Sequence, residues 1–175
     1  MEMRVVNSMN YEEFVSVFGN VVEKCPLIAA AVWTSRPFTS LCALEKNIGD
    51  FIDSLPRSGK EGILRCHPNL AGRDLLQGTL SPESLSEQNR AGLTSLTAGQ
   101  RSQLSELNAS YKNRFNFPFV ICARMNDRDT IIQQLSSRIR NSPEQELQIS
   151  IGEVKNICHL RLLDISIQVS QATKL

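Results

Sequence analysis

His67 is the residue of this chain best suited to move a proton near neutral pH. It is one of two histidines and lies in the segment Arg65-Cys66-His67-Pro68-Asn69-Leu70-Ala71-Gly72-Arg73. An imidazole changes its charge close to physiological pH, and the following proline biases the backbone of His67 toward extended geometry. The segment therefore predicts either an acid/base group in a stiff loop or a histidine hydrogen-bonded for structural reasons. A pair with the adjacent Cys66 is disfavoured, because neighbouring extended residues point to opposite faces.

Ser84, Glu87 and Gln88 have the spacing of residues that share one face of a helix. Together they would present a hydroxyl, a carboxylate and an amide. An amide both donates and accepts hydrogen bonds, and a carboxylate accepts them, so such a face could bind a polar heterocycle. The same spacing also fits an ordinary solvated face, and spacing alone leaves both interpretations open.

Arg161 falls on the apolar stripe of the predicted last helix, which contains Leu147, Ile151, Val154, Cys158, Leu162 and Ile165. A guanidinium is costly to bury unless it is paired. One interpretation is an arginine that clamps a ligand carboxylate through two parallel hydrogen bonds. The other is an arginine that pairs with a carboxylate of the protein, or whose charged end reaches solvent from the edge of the stripe.

The segment Phe119-Val120-Ile121-Cys122-Ala123 follows a proline and cannot easily continue the helix before it. We expect an extended, largely buried stretch. If it joins no sheet, its backbone N–H and C=O groups are open to a ligand, although they could also be paired within the protein.

Helix signals dominate the elements that must position these residues. Capping residues and apolar periodicity predict helices over Tyr11 to about Lys24 (cap Asn10), Thr39 or Ser40 to about Leu55, Ser81 to about Gly92, Thr97 to Phe115, Asp127 or Asp129 to about Arg140, and Ser142 to about Ser170. No clear pair of alternating strands appears. We therefore predict an all-α, compact, single-domain multi-helix fold over residues 1–175, with one long C-terminal helix.

The composition narrows the range of partners. The 175 residues are 41% hydrophobic, which argues against disorder, and 19 Lys+Arg against 18 Asp+Glu give a formal charge of +1. This balance gives no electrostatic reason to expect a nucleic-acid or membrane-surface partner. No apolar run approaches the roughly 18–20 residues of a membrane span, and residues 1–7 do not resemble a secretory signal.

The five cysteines are odd in number, scattered, and without C-x-x-C spacing: Cys25, Cys42, Cys66, Cys122 and Cys158. We interpret them as reduced thiols of an intracellular protein. With only two histidines and no Cys/His cluster, we expect no metal site.

Three ordered motifs together resemble one known family. They are His67-Pro68-x-Leu70, then Ser84-x-x-Glu87-Gln88-x-x-Ala91-Gly92-Leu93, then Leu107-Asn108-x-x-Tyr111-x-x-Arg114-Phe115-x-Phe117-Pro118-Phe119-Val120-Ile121. In this order and at these separations the chain is similar, over nearly its whole length, to the 2-oxo-4-hydroxy-4-carboxy-5-ureidoimidazoline (OHCU) decarboxylases of urate breakdown. One departure is Asn116, where the family usually has glycine. Asparagine also tolerates left-handed backbone geometry, so we expect the turn to survive.

The resemblance implies an all-helical homodimeric enzyme that uses no cofactor and converts OHCU to (S)-allantoin and carbon dioxide. It implies His67 and Glu87 as catalytic residues. It also implies the substrate-binding residues Pro68, Ser84, Leu85, Ser86, Glu87, Gln88, Phe119, Val120, Ile121, Cys122, Ala123 and Arg161. No transthyretin-like hydrolase domain is present in this sequence, which favours a stand-alone form.

The last three residues, Thr173-Lys174-Leu175, resemble the Ser-Lys-Leu type of peroxisomal signal. Because animal urate degradation is peroxisomal, the family resemblance supports that interpretation, and we expect a peroxisomal enzyme. Taken alone, the tripeptide would fit an arbitrary polar tail equally well.

Two other functions remain as alternatives. One is a thiol hydrolase that uses Cys66 or Cys122 with a histidine. The other is a non-catalytic helical adaptor, which calls for a large exposed apolar or charged patch that the sequence does not indicate.

Overall fold

The computed structural model describes the backbone of residues 2–172 and the side chains through residue 169. Over this range the chain is all-α, as predicted, and ends in one long helix. The helices are α1 Met3–Ser8, α2 Tyr11–Phe18, α3 Pro26–Trp33, α4 Leu41–Ser54, α5 Arg57–Arg65, α6 Arg73–Gln77, α7 Pro82–Arg90, α8 Ala98–Phe115, α9 Arg128–Arg138 and α10 Pro143–Ala172, with short 3₁₀ helices at Leu93–Ser95 and Ala123–Met125.

The capping residues begin the helices where the sequence places them. Asn10 and Thr97 each form a reciprocal capping box, in which the cap side chain accepts from the third helical residue and that residue's side chain accepts from the cap. Ser142 forms the same reciprocal capping box with Gln145. Single side-chain caps begin three further helices: Ser40, Ser81 and Asp127. These bonds satisfy amide groups that have no partner inside the helix.

The first predicted helix is shorter than expected. It ends at Phe18 instead of near Lys24, because the chain turns after Gly19 and Lys24 adopts a left-handed backbone with φ of 52°. Four short helices that the sequence did not predict also form: α1, α3, α5 and α6. In α5, Gly59 and Gly62 lower the intrinsic helix propensity, and buried Ile63 and Leu64 provide the tertiary contacts that offset it.

Unit 1 is one of two compact units and comprises, among the described residues, 2–60 and 155–172. In it α2 packs on α3, and α3 on α4. The ring of Phe14 lies 4.7 Å from that of Phe18 and 6.2 Å from that of Phe38, measured between centroids. Buried residues of α4 and the last part of α10 add to the apolar core: Leu44, Ile48, Ile52, Ile157, Cys158 and Leu162.

Unit 2 comprises residues 61–154. Its core contains an aromatic cluster, in which the ring centroid of Tyr111 lies 4.6 Å from Phe115 and 5.3 Å from Phe119. Phe117 stacks on Phe115 at 6.0 Å. The rings join the end of α8 to the following segment, which has neither helical nor strand geometry from residue 116 to residue 122.

Among the residues described, none of the helices combines the length and the apolar character that a membrane crossing would need.

Candidate functional site

His67 lies directly after α5, in a loop of unit 2. Its backbone N–H donates to Leu64 O at 3.1 Å and closes the last turn of the helix. The residue is 8% exposed, and its Nε2 atom is buried. Further along the loop, Ala71 adopts a left-handed backbone with φ of 48°. At Gly72 a Cβ atom would lie 2.7 Å from the Cβ atom of Asn69, so the turn requires glycine there.

Two buried amides hold the loop that carries His67. Gln88 Oε1 accepts from the N–H of Ala71 at 2.8 Å, and Asn108 Nδ2 donates to the carbonyl oxygen of Leu70 at 3.0 Å. These contacts fix which end of each amide is oxygen and which is nitrogen. The other ends, Gln88 Nε2 and Asn108 Oδ1, are buried and have no hydrogen-bond partner in the described part of the chain. A ligand or water could therefore accept from Gln88 and donate to Asn108.

The predicted polar face forms on α7. Ser84 is 5% exposed and Gln88 2% exposed, while Glu87 is half-buried beside them. Leu85, 47% exposed, and Ser86 lie on the solvent side of the same helix. Helical spacing thus places Ser84, Glu87 and Gln88 on one face of α7 and Leu85 and Ser86 on another. The prediction that Leu85 and Ser86 bind substrate rests on the family resemblance alone.

The segment from Phe119 to Ala123 is buried, with every residue 6% exposed or less. Residues 119–122 join no sheet, and Ala123 opens a 3₁₀ helix. Val120 O accepts from Arg138 Nη1 at 3.0 Å, and the N–H of Cys122 donates to Glu153 Oε2 at 2.8 Å. The backbone groups of Phe119 and Ile121 form no hydrogen bond to any residue that the structure describes. Buried peptide groups of this kind need a partner, and a polar ligand could supply it.

Neither cysteine of the thiol-hydrolase alternative is arranged as a nucleophile. Burial raises the pKa of the Cys122 thiol, and the carboxylates of Glu153 and Glu87 raise it further. The thiol therefore stays protonated near neutral pH, whereas the thiolate is the reactive form. Cys66 Sγ donates to the carbonyl oxygen of Gly62, 3.4 Å away along its own helix.

A cavity of about 330 Å³ opens beside His67 and Pro68 in unit 2. Polar and charged side chains make up most of the rest of its lining, which comprises Arg65, Asn69, Asp74, Lys112, Asn116 and Pro118. The backbone of Asn116 is left-handed, with φ of 62°, so the expected turn is present without glycine. Asn116 O also accepts from Arg65 Nε at 3.0 Å.

Arg161 belongs to unit 1, whereas the other predicted site residues belong to unit 2. It is 3% exposed, and its Nη1 donates to Glu23 Oε2 at 2.9 Å and to the carbonyl oxygen of Asn20 at 2.8 Å. The arginine is thus inward-facing and paired with a carboxylate of the protein. Its predicted contact with substrate is not tested by this pairing and stays a prediction.

Sequence reasoning missed Asn108 as a residue that builds the site. The signal is available: Asn108 follows Leu104 by four residues and precedes Tyr111 by three, so an amide interrupts the apolar stripe of α8. A polar residue on such a stripe predicts a buried hydrogen bond.

No group of three or more His, Cys, Asp or Glu side chains able to hold a metal ion occurs among the described residues.

A family model described as OHCU decarboxylase matches residues 7–163. The chain is 61% identical over 165 residues to the 2-oxo-4-hydroxy-4-carboxy-5-ureidoimidazoline decarboxylase of Amia calva, covering 94% of each chain. It is 54% identical over 175 residues to the enzyme of that name from Xenopus laevis, covering 100% of both.

A solved structure of OHCU decarboxylase in the presence of (S)-allantoin is similar in fold. It superposes with a TM-score of 0.68 at 25% identity, covering 90% of this chain and 98% of that one.

Proposed function

Because the chain belongs to the OHCU decarboxylase family, we propose that it converts OHCU into (S)-allantoin and carbon dioxide. One observation carries the proposal. The imidazole of His67 is buried in a loop held by Gln88 and Asn108, and all three residues belong to the motifs that resemble the family.

The reaction needs no external electron acceptor, and we propose that the enzyme works without a cofactor. The carbon that loses carbon dioxide carries a hydroxyl and neighbours a ring C=N bond. When the bond to the carboxylate breaks, its electron pair forms a carbon–carbon double bond, and the former C=N nitrogen takes up a proton. The resulting enol then loses its hydroxyl proton and gains a proton on the ureido-bearing carbon.

We assign the last proton transfers to His67. Delivery of the proton to one face of the ureido-bearing carbon would make the product single-handed. A positioned acid/base group typically contributes about 10²–10⁴-fold in rate. Glu87, half-buried on α7, is proposed to bind the substrate hydroxyl or a ring N–H and to orient His67.

The amide orientations give Gln88 a defined role in this proposal. Its oxygen is occupied by the N–H of Ala71, so it meets the substrate as a hydrogen-bond donor and binds a carbonyl oxygen. Ser84 lies on the same face and contacts the ureido or ring edge. Pro68 and the backbone of residues 119–123 form the walls, with the peptide groups of Phe119 and Ile121 as additional donors and acceptors.

Arg161 is proposed to position a carboxylate or carbonyl of the substrate. A strong grip on the departing carboxylate would stabilise the ground state and slow its loss, so we expect Arg161 to affect KM more than kcat.

The test uses circular dichroism at an allantoin wavelength. Urate is treated with urate oxidase and hydroxyisourate hydrolase, with and without this protein. We expect fast growth of a single-handed allantoin signal with the wild type and its loss with His67→Ala. His159→Ala is the matched control, because His159 is a half-exposed histidine that contacts Glu45 in unit 1. Slow, racemic allantoin in every sample would contradict the proposal.

Assembly is a further part of the proposal. We propose a homodimer, as the family resemblance implies. Light scattering coupled to size-exclusion chromatography would give twice the 19.6 kDa chain mass for a dimer and the single mass for a monomer.

The peroxisomal location rests on Thr173-Lys174-Leu175, which lie outside the described residues. We propose this location on the resemblance of these residues to a peroxisomal signal. A fluorescent protein fused ahead of the chain is expected to co-localise with peroxisomes, and Lys174→Glu is expected to disperse it. Equal distribution of both fusions would contradict the proposal.

A further inference from the structure

A buried polar cluster lies beneath the wall formed by residues 119–123. The Glu146 cluster consists of Tyr111, Arg138, Glu146 and Ser150, all of unit 2. Arg138 is 5% exposed and the other three are fully buried. No part of the mechanism proposed above uses these residues.

One carboxylate oxygen of Glu146 accepts hydrogen bonds from both Arg138 and Tyr111. This atom, Oε1, accepts from Arg138 Nε at 2.8 Å, from Arg138 Nη2 at 2.6 Å and from the Tyr111 hydroxyl at 2.5 Å. Arg138 Nη2 also donates to Ser150 Oγ at 3.0 Å. Burial raises the pKa of Tyr111, and its hydrogen bond to Glu146 raises it further, so the hydroxyl remains a donor at neutral pH.

The remaining side of the guanidinium faces the wall. Arg138 Nη1 donates to Val120 O at 3.0 Å, and its Cζ atom lies 4.5 Å from the centroid of the Phe119 ring. Tyr111 meets the same ring nearly edge-on, with an interplanar angle of 81°. Arg138 therefore holds a peptide oxygen and, together with Tyr111, an adjacent aromatic ring.

The wall is held at alternate residues. Val120 and Cys122 are bound through Arg138 and Glu153, while the peptide groups of Phe119 and Ile121 have no hydrogen-bond partner among the described residues. A planar trans peptide directs its C=O and N–H groups to opposite sides. Binding Val120 O therefore fixes the direction of the Ile121 N–H, and binding the Cys122 N–H fixes the direction of Ile121 O. The ring contacts of Arg138 and Tyr111 hold Phe119 beside them.

Stability alone is a weak reason for a buried ion pair in this place. Removing two charges from water is costly, and apolar residues of similar volume often give equal or greater stability. The specific property that the cluster adds is a fixed position for Val120 O and for the Phe119 ring. An apolar core could not bind that oxygen.

We propose that Arg138, oriented by Glu146 and Tyr111, is a positioning residue that aims the peptide groups of Phe119 and Ile121 at the substrate. This inference rests on the proposed function for its catalytic consequence. The peptide groups alternate donors and acceptors, which matches the N–H and C=O groups along the edge of an imidazoline ring with a ureido substituent. Arg138 itself does not touch the substrate.

The experiment removes both charges together. Arg138→Met/Glu146→Leu leaves no lone buried charge. It removes the donor to Val120 O and the acceptor of the Tyr111 hydroxyl, so it is expected to fold with a moderately lower unfolding temperature than the wild type. Its kcat/KM for OHCU is expected to fall about 10²-fold, since small misplacements of binding groups have effects of this size. The loss is expected mainly in KM, together with a reduced excess of (S)-allantoin. Tyr111→Phe, which keeps the ion pair, is expected to have a smaller effect in the same direction.

The matched control is Asp53→Leu/Lys155→Met. It removes an exposed ion pair of unit 1 whose Nζ–Oδ1 distance is 2.7 Å. We expect unchanged KM and stereochemistry there. If the Arg138/Glu146 double variant is folded and has the wild-type KM and product handedness, the proposal is overturned.

A readout without turnover separates this proposal from the proposed function. Nuclear magnetic resonance of the amides of Phe119 and Ile121 is expected to show shifted or broadened signals in the double variant, with the amides of α4 unchanged. Unchanged wall signals would overturn the positioning role even in an active enzyme. Changed wall signals in a protein that leaves OHCU untouched would support Arg138 as the determinant of the wall and refute the decarboxylase assignment. If Arg138→Met/Glu146→Leu fails to fold, Tyr111→Phe supplies the same comparison.

Discussion

At the scale of single residues, Asn108 and Gln88 each use one end of the side-chain amide to hold the loop after His67, which leaves the other end for a ligand. Each amide binds one main-chain group of the loop after His67 and leaves the other end buried. A buried amide group without a partner is costly, so its free end favours a complementary ligand or a water molecule. The two side chains thus hold the loop, and their other ends offer one hydrogen-bond donor, Gln88 Nε2, and one acceptor, Asn108 Oδ1.

Removing the Asn108 amide is expected to destabilise the protein. Asn108→Ala leaves Leu70 O buried without its donor, which costs about 1–3 kcal/mol, and Asn108→Asp costs more because a carboxylate faces that oxygen. Urea unfolding measures the difference. Asn113→Ala, an exposed change on the same helix, is the control and is expected to stay within about 0.5 kcal/mol. Equal stability of all variants would remove the loop-holding role.

The raised pKa of Cys122 predicts slow alkylation of its thiol. A raised pKa keeps the thiol protonated at pH 8, and the reactive thiolate appears only as the pH rises well above the ordinary thiol range. With iodoacetamide at pH 8, peptide mass spectrometry is expected to find Cys42, which is exposed, modified first and Cys122 protected. Both are expected to react after denaturation. Fast modification of Cys122 in the native protein would restore the thiol-hydrolase alternative.

At the scale of elements, side-chain caps made the long helices predictable. Ser81, Thr97 and Asp127 each accept from the third helical residue, an interaction that depends on local sequence alone. The helices that were missed lack this signal. α3 begins at Pro26 without a side-chain cap and is apolar along its length, so periodicity does not distinguish it from a buried strand.

The left-handed end of α8 gives a test of backbone fit. Asn116 has φ of 62°, which asparagine and glycine tolerate better than other residues. Asn116→Ala is expected to lower the free energy of unfolding by about 1 kcal/mol, and Asn116→Gly to change it by less than about 0.5 kcal/mol. Thermal or urea unfolding measures both. A larger loss in the glycine variant than in the alanine variant would contradict this explanation.

At the scale of the whole molecule, features of the site that depend on residues close together in sequence could be predicted, whereas contacts between distant residues could not. The polar face of Ser84 and Gln88 follows from helical spacing. The break in helical structure over residues 116–122 follows from Pro118. The partner of Arg161 could not be predicted, because Glu23 is 138 residues away and no local pattern joins them. For the same reason the contact of Arg138 with Val120 was found only in the structure.

The buried pair of Arg161 and Glu23 predicts a large cost for removing one partner. Glu23→Gln leaves a buried guanidinium without its carboxylate and is expected to lower the free energy of unfolding by about 3–5 kcal/mol. The double variant Glu23→Leu/Arg161→Met is expected to recover most of this loss, as measured by urea unfolding. The KM of this double variant tests whether Arg161 contacts the substrate. An unchanged KM in the folded double variant would refute the proposed substrate contact of Arg161.

The continuity of α10 limits which length changes this gene product tolerates. Within unit 2, Glu146 binds Arg138 and Glu153 binds the N–H of Cys122, and the two carboxylates lie on this helix seven residues apart. One inserted or deleted residue between them would turn every later side chain by about 100° around the helix axis. At least one of the two contacts would then be lost. Substitutions can accumulate in this stretch, whereas insertions and deletions are expected to be purged, so its length should change far more slowly than its sequence.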